Sequence, residues 1–141
     1  MSKALAMSRV FMAYSRRDGA YASQLYRALT SLNVEGFLDA ADVAAGAVWD
    51  EAIKRAVRDA DAVVVLLSEN SLRSNFVMAE VGLAWDANKR IIPVIPPDAT
   101  IEMNELPEIL RDIAILDARN QTPAETADQI ALAVAKAQQG A

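Results

Sequence analysis

One carboxylate and one aromatic ring, Glu80 and Phe76, have the types and the spacing to act together on a substrate. Between Phe76 and Trp85 every residue except Glu80 is apolar or glycine, and the polar run Asp86-Ala87-Asn88-Lys89-Arg90 follows. Such a run predicts a helix packed on most sides. An acid in that setting is costly, on the order of several kcal/mol if buried without a partner. Chains keep such a residue when it is paired or when it does chemistry. At helical spacing Phe76 lies one turn before Glu80 on the same face, so ring and acid look into the same space. From the helix pattern alone the simplest account is structural, with Glu80 held by Arg73, Arg90 or a loop amide. Phe76 and Trp85 likewise read first as core, because aromatics usually fill interiors.

Composition narrows the chemistry further. The 141 residues contain neither histidine nor cysteine. Ser-His-Asp catalysis, imidazole or thiolate metal sites, thiol catalysis and disulfides are thereby excluded. Catalysis must rest on carboxylates, hydroxyls, Lys, Arg or backbone, and no metal site is expected. Hydrophobic residues make up 53 % and the net charge is −5, with no concentration of Lys and Arg. A nucleic-acid-binding module needs a basic footprint, so that class is set aside. The apolar patch before Arg9 is too short for a signal peptide, and no run approaches a membrane span. A cytoplasmic address is the expectation. The length suits one domain burying roughly two thirds of its unfolded surface, with a lead-in over 1–8, the domain over 9–138 and a tail over 139–141.

The elements that must position these residues alternate along the chain. Val10–Tyr14 is a short continuous apolar run, the mark of a strand buried on both faces. It breaks at Ser15-Arg16-Arg17-Asp18, where Asp18 is placed to cap a helix over 19–32 carrying Tyr21, Leu25, Leu29 and Leu32. Val34–Leu38 reads as a second strand and 39–48 as a loop. Trp49, Ile53, Val57 and Ala60 mark one face of a second helix. Asp61–Ser68 is the clearest buried strand, followed by a polar loop and the Glu80 helix. Ile91–Ile95 is a fourth strand in which Pro93, lacking a ladder donor, suggests an edge. Residues 96–107 read as loop with a helical turn, the acidic stretch 102–108 facing solvent. Ile113–Leu116 is a short fifth strand, and 123–138 an Ala-rich helix with Ile130 and Val134 inward. Alternation of this kind predicts an α/β fold, a parallel sheet with helices on both faces. Right-handed crossovers then bring the loops at 15–18, 39–48 and 68–75 to one edge, where such folds bind ligands.

Phosphate loops are absent: glycines at 19, 36, 46, 82 and 140 match neither G-x-G-x-x-G nor a P-loop. A receiver domain needs an acidic pair after strand one and a phospho-accepting Asp after strand three, where this chain has Ser15-Arg16-Arg17 and Ser68. What the chain resembles, over about residues 9–136, is the TIR (Toll/interleukin-1 receptor) domain family, its bacterial members more than the animal adaptors. The first family box appears as Val10-Phe11-Met12-Ala13-Tyr14-Ser15-Arg16-Arg17-Asp18. The second appears as Asp39, Asp42, Gly46 and Trp49, and the third as Ser68, Ser71, Ser74, Phe76 and Glu80.

The resemblance implies a flavodoxin-like five-stranded parallel sheet of order 2-1-3-4-5 with helices on both faces. It implies cleavage of NAD, as substrate rather than cofactor, between nicotinamide and ribose, with the third-box glutamate, Glu80, as the catalytic group. Phe76 would stack on a ring of the substrate, and Ser15, Arg16, Arg17, Asp39 and Trp49 would frame the pocket. Self-association of TIR domains is implied as well, with a sensor either in a longer parent chain or on a separate partner. Two rival readings remain: a TIR domain that signals by assembly without turnover, and a nucleoside hydrolase or transferase sharing the sheet and one glutamate. This chain departs from the family in three places. Phe76 replaces the usual Trp, Ser71 the common Tyr, and Ala45 the common Pro before Gly46.

Overall fold

The computed structural model describes residues 8–41 and 51–139, with the side chains of 38–41 and 138–139 left aside. Five parallel strands form one sheet of order β2-β1-β3-β4-β5. They are β1 (Ser8–Ser15), β2 (Val34–Ala41), β3 (Ala62–Leu66), β4 (Arg90–Ile95) and β5 (Leu116–Asp117). The helices are α1 (Gly19–Ser31), α2 (Glu51–Asp59), α3 (Glu69–Leu72), α4 (Asn75–Asp86), α5 (Glu108–Arg111) and α6 (Pro123–Gln139). This is the expected α/β sheet with helices on both sides.

Strand alternation divides the core into two layers. Phe11, Ala13, Val63, Val65 and Ile95 face α2 and α4, where Ile53, Val57, Val77, Val81 and Ala84 meet them. Val10, Met12, Tyr14, Val64, Leu66 and Val94 face the opposite way, onto Leu25 and Leu29 of α1 and Ile130 and Val134 of α6. All five residues of β3 are fully buried, as a central strand covered on both faces requires.

Several boundaries differ from the sequence reading. β2 runs on to Ala41, with Ala13 paired to Asp39 and Ser15 to Ala41. Asp39 is therefore a strand residue rather than the start of a loop, because the ladder to β1 sets the strand's length. β5 comprises Leu116 and Asp117 instead of 113–116. Ile113 and Ile115 stay outside the strand and pack on the α4 layer. Because β5 pairs only with Val94 and Ile95, β4 has a ladder partner on one side alone at Pro93, which is how a proline fits here. The stretch 99–106 is pinned by Ala99, Ile101 and Leu106, all buried, while Glu102, Glu105 and Glu108 face solvent as expected.

Helices α1 and α4 stop at asparagines in the left-handed region, Asn33 (φ 65°) and Asn88 (φ 59°). At α4 the N–H of Lys89 donates to the Ala84 carbonyl and that of Asn88 to Trp85, both at 3.0 Å, which closes the helix end. Leu32 and Trp85 sit beside these ends at 41 % and 53 % exposure, so neither is core. A helical period places residues on one side of an axis, and near its ends that side has passed beyond the sheet.

Candidate functional site

The carboxyl ends of β1, β3 and β4 deliver their loops to one edge. At the end of β1 the Ser15 hydroxyl oxygen accepts from the Arg17 N–H at 3.3 Å and starts a 310 turn over Arg16–Asp18. Arg16 and Arg17 are exposed there. Asp18, expected to cap α1, makes no such hydrogen bond. Its carboxylate instead accepts from the Ser68 hydroxyl at 2.5 Å and from Asn70 Nδ2 at 3.3 Å. The side-chain donors of Ser68 and Asn70 occupy both carboxylate oxygens in place of α1 backbone N–H groups, and they tie the loop after β1 to the loop after β3.

The loop after β3 is more built than its polar composition suggests. Ser68 and Ser71 form a reciprocal capping box around α3, with Ser68 N–H donating to Ser71 Oγ at 2.8 Å and Ser71 N–H to Ser68 Oγ at 3.2 Å. Both serines are buried. Glu69, the first residue of α3, accepts from the hydroxyl and the N–H of Thr100, which fastens this turn to the segment after β4. The Thr100 hydroxyl bond holds the Glu69 carboxyl below the ordinary 4.5. The pattern Ser-x-x-Ser was the available signal for α3, too short to show any apolar period.

Helix α4 begins at Ser74, whose hydroxyl oxygen accepts from the Val77 N–H at 3.1 Å. Val77, Glu80, Val81 and Ala84 form its buried stripe. Glu80 is 0 % exposed, one of four buried polar or charged residues among those described. Phe76 is half-buried and packs against the same layer as Phe11, Ala13 and Leu67. Arg73 and Arg90, the cations the sequence offered as holders, are surface residues. Asp39 lies on β2 opposite Ala13, its side chain outside the described set. Trp49, Asp42, Ala45 and Gly46 lie outside the described residues altogether.

Sequence comparison supplies the family. The TIR domain family matches residues 10–132, most of the chain. The chain is a TIR domain. Solved structures share its fold at low identity. The TIR domain of the Toll-related receptor TRR-2 from Hydra magnipapillata is 18 % identical with a TM-score of 0.68, covering 88 % of this chain and 94 % of that one. The heterodimer of the RPS4 and RRS1 TIR domains gives 15 % identity and a TM-score of 0.71, over 94 % of this chain and 98 % of that one. The TIR-STING receptor from C. gigas bound to 2′,3′-cGAMP gives 19 % and 0.69, over 89 % of this chain and 38 % of that longer one. Among curated proteins none is significantly similar in sequence.

In this TIR domain the structure brings Ser15, Arg16 and Arg17 to the carboxyl edge together with Asp18, Ser68 and Asn70, and seats Glu80 and Phe76 on the helix that follows. The link between Asp18 and Ser68 is not legible from sequence, because residues 50 apart carry no local signal for each other. A cleft of about 520 Å³ opens at this edge on the α1 side, lined by Arg17, Asp18, Tyr21, Asn70 and Pro97 among others; Glu80 does not line it. Burial pushes the Tyr21 hydroxyl above its ordinary 10.0, a rise tempered by neighbouring Thr126. Among the described residues no group of three or more acidic side chains is arranged to hold a metal, and no helix is long and apolar enough to cross a membrane.

Proposed function

We propose that this TIR domain acts in the cytoplasm as an NAD glycohydrolase or cyclase, with Glu80 as its catalytic carboxylate. The observation that supports this reading is an acid with 0 % exposure on the apolar stripe of α4, in the third-box position, one helical turn after a half-buried Phe76. In the reaction the bond between C1′ of the ribose and the pyridinium nitrogen breaks, and its electron pair goes to that nitrogen. Nicotinamide therefore leaves neutral and needs no proton donor, which suits a domain with no histidine. Positive charge develops at C1′ and the ring oxygen. Glu80 stabilises that cation, an effect strongest where water is excluded. One carboxylate suffices, in contrast to the acid pair of ordinary glycosidases. Addition of water at C1′, with loss of a proton to solvent, gives ADP-ribose; addition of a group from the same molecule gives a cyclic product.

Phe76 stacks on a ring of the substrate, Arg16 and Arg17 take the pyrophosphate as charge-assisted donors, and Ser15, Asp39 and Trp49 frame the pocket. Because Glu80 is fully covered, turnover requires movement that uncovers this face of α4, and self-association of TIR domains is the proposed trigger. The same burial favours a second reading, a TIR domain that signals through assembly alone. Two solved structures of similar fold are of assemblies: the RPS4–RRS1 TIR heterodimer and the TIR domains of the activated Roq1 resistosome. Incubation of the purified chain with NAD, dilute and then with enforced dimerisation, separates the two. The first reading expects nicotinamide release in the assembled sample; the second expects NAD to stay intact in both.

A further inference from the structure

The cleft on the α1 side has the position and size of a ligand site of its own. β1 leads into α1 on one face of the sheet and β3 leads into α3 and α4 toward the other, so the chain diverges between neighbouring strands. Open α/β sheets bind ligands in the crevice at such a switch point. Its volume of about 520 Å³ lies within the range of small-molecule sites.

We propose that this cleft binds an uncharged ribonucleoside, with the ribose diol on Asp18 and the base between Tyr21 and the Pro96–Pro97 wall. Asp18 is already fixed by Ser68 and Asn70, one bond to each oxygen. A carboxylate has about four acceptor positions, so about two remain for the adjacent hydroxyls of a ribose. Tyr21 and the two prolines line the cleft and offer flat apolar surface to a planar ring. Gln24, exposed on α1, brings an amide able to donate to and accept from a base edge. Charge decides against a phosphate. Among the described residues the lining carries one cation, Arg17, against three carboxylates, Asp18, Glu69 and Asp98, so a nucleotide dianion is repelled where a neutral nucleoside is not. The site shares Arg17 with the proposed NAD site but uses neither Glu80 nor Phe76, so its occupancy is tested apart from NAD turnover.

The test titrates adenosine into the full chain by calorimetry, in the wild type and in Glu80→Gln, which removes any contribution from turnover. AMP and 2′-deoxyadenosine serve as comparison ligands. Ala20→Trp places a bulky ring in the cleft from an exposed helical position, and its folding is verified by thermal unfolding. The expected result is saturable one-to-one binding of adenosine to both proteins, at least about tenfold weaker for AMP and for the deoxy analogue, and lost in Ala20→Trp. No saturable adenosine binding up to millimolar concentration overturns the proposal. So does unchanged affinity in a folded Ala20→Trp, or AMP or 2′-deoxyadenosine binding as tightly as adenosine.

Discussion

Two side chains on either side of the carboxyl edge, Phe76 and Glu69, give predictions that stand or fall without reference to the rest of the fold. If Phe76 stacks on the substrate, Phe76→Ala raises KM for NAD by about tenfold, in line with ~1–3 kcal/mol for a ring stacked on an aromatic side chain. The effect on kcat is expected to be smaller, and steady-state kinetics of the assembled protein separate the two. Glu69 gives a prediction in pH. Its carboxyl is held below 4.5 in the folded state, first by the Thr100 hydroxyl and then by backbone N–H groups. Its stabilising contribution is therefore present above 4.5 and disappears as pH falls through the lowered folded value. Glu69→Gln keeps a hydrogen-bond acceptor but no longer titrates. Urea unfolding of wild type and variant is expected to differ at pH 7, and the difference is expected to shrink by pH 3. An equal gap at both pH values contradicts this account.

At the level of elements, the contact between α1 and the edge strand is decided by one missing side chain. A Cβ built on Gly36 of β2 meets the Tyr26 ring at 2.7 and 2.9 Å, closer than such atoms ever approach. Gly36→Ala must displace that ring, and a loss of about 1–3 kcal/mol is expected in chemical denaturation. Ser68→Ala removes the cap of α3 and the donor to Asp18 together, with an expected loss of about 1–2 kcal/mol. Elements whose identity lies in their own residues were legible from sequence: β3 is apolar on every position, and Ile130 and Val134 mark the inner stripe of α6. Elements defined by a partner were not. β2 extends through Asp39 to Ala41 because β1 is there to pair with, and α3 exists because two serines bond each other across a single turn. The stacked pair Phe11 and Phe37, ring centroids 5.4 Å apart, likewise arises from parallel register between strands, which composition does not encode. The candidate site divides in the same way. Glu80 and Phe76 stand out because an acid interrupts an apolar run, whereas Asp18 gave no sign that it clasps the end of β3.

For the whole molecule, the consequence of a fully covered Glu80 is that the proposed NAD turnover belongs to an opened state. If association supplies the opening, specific activity rises with protein concentration rather than staying constant, and fusion to an obligate dimer raises it at low concentration. Progress curves over a hundredfold range of protein test this, and a flat profile is the contrary outcome. The central claim is that this one acid carries the chemistry. Its most direct test is nicotinamide release from NAD by the enforced dimer, compared between wild type and Glu80→Gln, whose fold is checked by circular dichroism. The account predicts release by the wild type and a loss of at least about 100-fold in the variant, the scale of removing one group that stabilises developing charge. Release at the same rate from both proteins, or from neither, contradicts it.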